Sequence, residues 1–210
     1  MKSRKKGLRS NNEVVVVGKL EKEFEYSHTL YGENFYENRL IVGNDFIPIL
    51  VSERLVDVSL FNQGKIMGIK GRFNSYNDKI GSDGRTHLKL YVFVLEIWFL
   101  NESEFEMTNK ITIKSGFVCK EPYCHEQITN LLIAVNRSYS KSDYLPCMTL
   151  GDNAKIAAKL QVGDEIQLEG MIQSREYLKC SERRVAYEIY VEKSIYCKNR
   201  RKKDDNNGKD

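Results

Sequence analysis

The stretch Asp-Phe-Ile-Pro-Ile at residues 45–49 has a near copy, Asp-Tyr-Leu-Pro-Cys, at residues 143–147. The chain contains three prolines, and two of them, Pro48 and Pro146, hold the matched position. Proline has no amide hydrogen for a sheet ladder, so each stretch is expected to be a strand with an edge or a bulge at that point. The offset of 98 residues predicts that one small β-rich module occurs twice in this chain.

Two further blocks repeat at about the same offset. Residues 14–20 and 111–118 are rich in Val and Ile, as is typical of an opening strand, and each contains one glycine. In residues 64–75 and 163–174, two glycines seven positions apart, Gly64 and Gly71 or Gly163 and Gly170, bracket a strand-like run. The blocks keep their order in both halves, which supports a true duplication.

Each half also contains a helix signal and a closing strand. Residues 53–61 and 153–160 are expected to form a short helix, with Asn153 as the N-cap of the second one. Long runs of β-branched and aromatic residues follow at 88–99 and 185–195, and these runs predict the last strand of each module.

Five strands with a short helix between the third and fourth, in about 100 residues, are the element order of an OB-fold barrel. We therefore predict an all-β chain of two tandem OB-fold barrels with five strands each. The first barrel is expected at residues 11–100 and the second at 109–197, joined by a polar linker at 101–108. Residues 1–10 and 198–210 are expected to be disordered basic tails. An SH3-like barrel or an incomplete sandwich has the same order and stays open as an alternative.

Composition indicates an intracellular, cytoplasmic protein without a membrane segment. Charged residues make up 30% of the chain, and no apolar run approaches the about 20 residues of a membrane-spanning helix. The five cysteines all lie in the second half, and an odd, uneven set is typical of a reducing compartment rather than of a disulfide framework.

The net charge of +4 is unevenly distributed. The two tails hold 11 of the 33 Lys and Arg residues and only 3 of the 29 Asp and Glu residues, so the body between them has a net charge of −4. A polyanionic partner would therefore need a local basic groove or help from the tails.

The second half carries a set of motifs that follow one another over most of its length. They are an apolar strand at 130–136, an aromatic-bearing strand ending in glycine at 143–151, an Ala/Leu helix at 153–160, and a Gly-Asp…Gly…Ser-Arg-x-Tyr pattern within 162–177. In this order the motifs resemble the bacterial single-stranded DNA-binding proteins, over residues 109–196. The first half resembles that family more faintly, so the whole chain looks like a tandem form of it.

The resemblance implies a DNA-binding face on the second module. It places Tyr144, Arg175 and Tyr177 on that face, with Arg137, Tyr139 and Lys141 in the preceding loop. The family usually has tryptophans at several such positions, whereas this chain has only Trp98, in the first module. The family also commonly ends in an acidic tail that recruits partner enzymes. This chain ends in a basic segment, so that role is not transferred.

The residues also indicate single-strand binding independently of the resemblance to the family. Cations that follow phosphates must alternate with rings on which unpaired bases stack, at about 1–3 kcal/mol per base. Such alternation occurs at 175–179 and around Arg184 in the second module, where Lys179 adds a further cation. In the first module the candidates are Tyr36, Arg39, Phe46, Arg72, Phe73 and Tyr76. Ser75 and Ser174 add hydroxyl groups suited to a phosphate. Since alternate residues of a strand face opposite sides, some of these rings are equally compatible with a core position.

Catalysis and metal binding have weak support. Cys119, Cys124 and His125 could begin a zinc site, but the sequence has no second Cys or His pair at a spacing that would complete it. We therefore predict neither a metal nor a cofactor. Ser27 and His28 are neighbours in a strand, which predicts that they point to opposite faces and cannot cooperate as nucleophile and base.

We therefore predict a non-enzymatic protein that coats single-stranded DNA with little sequence preference during replication, recombination or repair. A homodimer and contacts with replication or recombination proteins are expected as well. Two alternatives stay open: an RNA-binding protein, and a primosome-type adaptor in which one module binds a protein partner.

Overall fold

The computed structural model describes residues 11–80, 85–137, 141–179 and 182–198. Most of these residues lie in strands. The strands are β1 (Asn12–Leu20), β2 (Glu25–Leu30), β3 (Glu33–Val42), β4 (Asp45–Ser52), β5 (Ile66–Ile80), β6 (Arg85–Phe99), β7 (Thr108–Val118), β8 (Tyr123–His125), β9 (Ile128–Asn136), β10 (Ser142–Leu150), β11 (Glu165–Lys179) and β12 (Glu182–Lys198). Among the described residues, no helix is long and apolar enough to cross a membrane.

The strands form two barrels of the same topology. In the first, β1 pairs with β5 and β3, β3 pairs with β4, β4 runs parallel to β6, and β6 returns to β5. In the second, β7, β9, β10, β12 and β11 repeat each of these pairings. This is the partly open OB-fold barrel, and the predicted fold class is confirmed.

Each barrel has the five predicted strands, and each module has one further strand that was not predicted. The loop between the first two barrel strands contains a further short strand in each module, β2 against β3 and β8 against β9. Its residues are mostly exposed, so the hydrophobic pattern that marks a barrel strand is missing.

The expected helices differ between the modules. Helix α1 (Gly151–Ala157) is present in the second module, but it begins before Asn153, whose side chain donates instead to the carbonyl oxygen of Glu192. In the first module the helix is replaced by a single 3₁₀ turn, Val58–Leu60, which begins where Asp57 accepts a hydrogen bond from the Ser59 N–H group.

The two prolines lie next to the short parallel ladder of each barrel. The parallel pairing of β4 with β6 covers only Ile49 and Leu50, directly after Pro48. The pairing of β10 with β12 likewise begins directly after Pro146. The missing amide hydrogen thus falls at the end of a short ladder, as the sequence predicts.

The barrels are joined by strand pairing between the modules. Strand β1 pairs antiparallel with β7 through six residue pairs, so that all 12 strands belong to one sheet. Val14 faces Ile111 and Glu13 faces Thr112. Val14 also pairs with Gly71, and Ile111 pairs with the matched Gly170, so these two residues are equivalent and a local twofold axis passes through their pair.

Two asparagines at the start of β1 and β7 complete this junction. The Asn12 side chain accepts from the Phe73 N–H group at 3.0 Å and donates to the Phe73 carbonyl oxygen at 2.5 Å. Asn109 forms the same two bonds with Ile172, at 3.0 and 2.7 Å. In each module the asparagine side chain thus bonds the backbone N–H and C=O groups of one residue of β5 or β11. The backbone of β1 or β7 pairs with the other module instead.

The repeated glycines at the second block have a steric role. A Cβ atom at Gly170 would lie 2.0 Å from the carbonyl oxygen of Tyr190, and one at Gly71 would lie 2.4 Å from that of Phe93. Each glycine lies at a shift of register between the two strands of its hairpin. The bulge brings the neighbouring backbone too close for any side chain.

Gly170→Ala is therefore expected to lower the free energy of unfolding by about 1–3 kcal/mol, since the added methyl group can be accommodated only by moving backbone. Urea denaturation measures the loss. Gly116→Ala is the matched control, because its Cβ would meet only side-chain methyl groups, those of Ile133, Ile113 and Val135, at 3.2–3.5 Å. Equal stability of the two variants would contradict the steric assignment.

Candidate nucleic-acid interface

The last two strands of each module form a long hairpin that contacts the other module. We call β5–β6 the first crossing hairpin and β11–β12 the second crossing hairpin. The Ser75 N–H group donates to Asp143 Oδ1 at 2.5 Å, and the Ser174 N–H group donates to Asp45 Oδ1 at 2.7 Å. These four residues hold two matched pairs of positions, so the contacts are reciprocal across the local twofold axis.

The two serine hydroxyls belong to the same junction. Ser75 Oγ accepts from the Tyr144 N–H group at 2.7 Å, and Ser174 Oγ accepts from the Phe46 N–H group at 3.0 Å. The suggestion that these serines bind a phosphate is therefore corrected. Their hydroxyl oxygens accept hydrogen bonds from backbone N–H groups near the start of the other module's proline-bearing strand.

Arg137 also holds the modules together. Its guanidinium donates to both carboxylate oxygens of Asp143, at 2.6 Å for Nε to Oδ2, and to the carbonyl oxygen of Ser75 at 2.8 Å. Asp143 is buried, and its hydrogen bonds raise the pKa of Arg137. The guanidinium expected to bind DNA is thus engaged at the module junction.

Arg39, in the middle of β3, has a different carboxylate partner. It forms two hydrogen bonds with Glu21, at 2.5 and 2.6 Å, and it bonds the Tyr187 hydroxyl of the second crossing hairpin. Its guanidinium also lies 5.4 Å from the ring centre of Phe46. Arg39, like Arg137, therefore links its barrel to the other module's hairpin.

The aromatic candidates divide into exposed, half-buried and core rings. Tyr76, Tyr144 and Tyr177 are exposed, at 44%, 43% and 38%. Tyr36 and Phe46 are half-buried. Phe73 is wrong as a stacking residue, because it faces the interior of the barrel and is fully buried.

The cationic candidates are more dispersed. Arg175 and Lys141 are exposed, and Arg175 Nε lies 3.9 Å from Glu188. Arg72 is half-buried, with a buried Nε atom. Tyr139 lies outside the described residues, and the Lys179 side chain is not described although its backbone belongs to β11.

The crossing hairpins meet again at the local twofold axis. Arg184 Nη1 lies 3.2 Å from His87 Nε2, and the two residues hold matched positions, since His87 pairs with Asp78 and Arg184 pairs with Tyr177. An arginine can only donate, so Nε2 of His87 is the acceptor in this contact.

A cleft of about 870 Å³ lies on the outer face of the first barrel. Its walls come from β2, β3 and β4, from the first crossing hairpin and from the second crossing hairpin. Four tyrosines line it: Tyr26, Tyr76, Tyr91 and Tyr187. Three of these four were not among the predicted site residues, and Tyr187 enters only because the second hairpin crosses to this barrel.

The rings of the cleft are held in place by their neighbours. Tyr26 meets Tyr36 edge to face at 6.1 Å, and Tyr76 meets Tyr91 in the same way at 5.6 Å. Burial raises the pKa of Tyr91 and of Tyr187, so both hydroxyls stay protonated at neutral pH.

Ser27 and His28 differ from the expectation. A register shift between Tyr26 and His28 breaks the alternation of the strand, and His28 Nδ1 lies 3.2 Å from Ser27 Oγ. The prediction that the Ser27 and His28 side chains point to opposite faces of the strand is therefore wrong. Among the described residues, no group of three or more His, Cys, Asp or Glu side chains converges as metal ligands.

The second module matches a known family along nearly its whole length. A model described as "Single-strand binding protein family" matches residues 108–196. The second module therefore belongs to the single-strand binding protein family. The matched range contains Tyr144, Arg175 and Tyr177, whereas the first barrel and its cleft lie outside it. No curated protein matches the sequence.

Solved structures extend the likeness to both modules. The wild-type single-stranded DNA binding protein from Thermus aquaticus is 16% identical, with a TM-score of 0.66, and covers 88% of this chain and 91% of its own. A deletion mutant of it gives the same identity and TM-score and covers 93% of its own chain. At this identity the likeness shows the fold alone, and it covers both barrels.

A third structure matches in sequence over less than half of the chain. It is the dimeric N-terminal domain of PriB protein from Thermoanaerobacter tencongensis, 34% identical over 44% of this chain and all of its own. Its TM-score of 0.37 is too low to support a structural comparison.

The two matched aspartates give a direct test of the module junction. Asp143→Asn is expected to lower the free energy of unfolding by about 2–3 kcal/mol, because it removes the carboxylate that pairs with Arg137. The loss is expected to be smaller than for a fully buried ion pair, because the Arg137 side chain is partly exposed. Urea denaturation measures the loss.

Asp45→Asn is the matched control for this substitution. Asp45 accepts from Ser174 but has no arginine partner in the described contacts, so its loss is expected near about 1 kcal/mol or below. If both variants lose the same stability, the ion pair with Arg137 adds nothing to the junction.

Proposed function

We propose that this protein binds and coats single-stranded DNA with little sequence preference, during replication, recombination or repair. The observation that supports this most strongly is the second crossing hairpin, which lies in the family match. There Tyr177 stands directly opposite Arg184 in the ladder, two residues after the exposed Arg175. Rings stack on any base and guanidinium groups pair with any phosphate, so this arrangement favours binding without sequence readout.

The exposed ring of Tyr144 extends the proposed surface to the second barrel. Its backbone is fixed by Ser75 of the first crossing hairpin, so the surface runs across the junction of the modules. We propose that the protein acts without catalysis and without a cofactor, in the cytoplasm, and that two copies associate as a homodimer. Replication or recombination proteins are its proposed partners.

Titration of a fluorescent oligo-dT, the matching oligo-rU and a duplex tests the proposal. At low salt we expect tight binding of oligo-dT and far weaker binding of the duplex, whose bases are stacked on each other and closed to the tyrosines. The affinity should fall as salt rises, because phosphate contacts release counterions. Equal affinity for duplex and oligo-dT would contradict the proposal, and preference for oligo-rU would assign the protein to RNA.

Tyr144→Ala and Tyr177→Ala test the residues themselves. Each is expected to weaken oligo-dT binding roughly 5- to 150-fold, which corresponds to about 1–3 kcal/mol for one stacked base. Leu178→Ala is the control, because Leu178 is 72% exposed on the same strand but has no ring. If both tyrosine variants bind like the control, stacking at these positions is excluded.

A further inference from the structure

Tyr144 lies in a part of β10 that has a neighbouring strand on one side. Strand β9 pairs with β10 along its whole length, whereas among the described residues β12 pairs with β10 only at Cys147 and Met148. On the side away from β9, the Tyr144 N–H group donates instead to Ser75 Oγ of the first module, at 2.7 Å. A side chain of the other module thus provides the acceptor that a neighbouring strand would otherwise supply.

Ser75 binds the second module through each of its polar groups. Its N–H group donates to Asp143 Oδ1 at 2.5 Å, its carbonyl oxygen accepts from Arg137 Nη2 at 2.8 Å, and its hydroxyl oxygen accepts from the Tyr144 backbone. Ser75 and Asp143 are buried, so water has little access to these bonds. The backbone of Tyr144 is therefore held in a fixed position relative to the first module.

The ring of Tyr144 is exposed although its backbone is fixed in this way. A ring that is already in place before a base arrives loses less conformational freedom when it stacks. Ser75 is uncharged and buried, so it is shielded from direct contact with a bound strand. Its effect on binding would therefore have to pass through Tyr144. Tyr144 lies within the residues that match the family, whereas Ser75 lies outside them.

We propose that Ser75 is a positioning residue for Tyr144, and that the first module thereby increases the affinity of the second module for an unpaired base. This inference rests on the proposed function. It gives the first module a role that requires no contact of its own with DNA, because the hydroxyl of one of its residues fixes a stacking ring of the other module.

Ser174 is the matched serine, but the ring that depends on it is covered. Its hydroxyl oxygen accepts from the Phe46 N–H group at 3.0 Å and lies 3.2 Å from Asp45 Oδ1. Phe46 is half-buried, and the Arg39 guanidinium lies 5.4 Å from its ring centre. Loss of the Ser174 hydroxyl therefore affects a ring that is partly covered, whereas loss of the Ser75 hydroxyl affects an exposed one.

Titration of oligo-dT against the full chain, at a temperature where urea denaturation shows every variant to be folded, tests the proposal. Ser75→Ala removes one oxygen atom and keeps the backbone bonds to Asp143 and Arg137. It is expected to weaken binding roughly 2- to 12-fold, the factor that corresponds to ordering one side chain on binding. The slope of log affinity against log salt should not change, because no phosphate contact is lost. Ser174→Ala is the matched control and should bind like the wild type.

A double-mutant cycle separates positioning from a general loss of structure. In a chain that carries Tyr144→Ala, the addition of Ser75→Ala is expected to change the affinity by less than about twofold, because the ring through which Ser75 acts is already absent. In a chain that carries Tyr177→Ala, the same addition should produce the full loss, since Tyr177 lies on the second crossing hairpin.

The outcomes separate this inference from the proposed function. If the wild type does not bind oligo-dT, the proposed function fails and this inference fails with it. If the wild type binds and Ser75→Ala binds equally well, only the positioning role is overturned. Equal losses in Ser75→Ala and Ser174→Ala, or the same loss from Ser75→Ala with and without the Tyr144 ring, would also overturn it. Either result would show that the junction as a whole, and not this one bond, supports binding.

Discussion

The pairing of β1 with β7, through six residue pairs, determines where the remaining contacts between the modules form. In the shared sheet, β5 and β11 lie on the outer sides of these two strands, so the pairing fixes where both crossing hairpins leave the barrels. Each hairpin then meets the proline-bearing strand of the other module, where Asp45 or Asp143 accepts the serine N–H group. The cleft and the exposed tyrosines depend on this exchange, because hairpin and barrel from different modules form their walls together.

Much of the fold could be predicted because its signals are local. Matched prolines, matched glycines and β-branched runs indicate the barrel strands directly, and each has a steric or hydrogen-bonding reason in the structure. The extra strand β2 could not be predicted in this way, since it buries no face and therefore has no hydrophobic period. The 3₁₀ turn in place of the first helix depends on how residues 53–61 fit around the barrel, which no single residue specifies.

The candidate site was harder to predict, and Arg39 and Arg137 show why. An arginine next to rings and polar residues is typical of a phosphate contact, but it is equally suited to a buried carboxylate. Arg137 finds Asp143 and Ser75, and Arg39 finds Glu21 and Tyr187. Tyr187 and Ser75 belong to the other module in each case, so only the tertiary structure decides. Tyr144 and Tyr177 are exposed, at 43% and 38%, and stay predicted stacking residues.

The meeting of His87 and Arg184 on the twofold axis has a consequence for how such a molecule can change over evolutionary time. Two identical subunits would have to bring the same residue against itself on their axis, and two arginines there would repel each other. A single chain is free of that restriction: one copy can supply the donor and the other the acceptor. Fusion of the barrels thus permits asymmetric pairs at positions that a symmetric assembly could fill only with self-compatible residues.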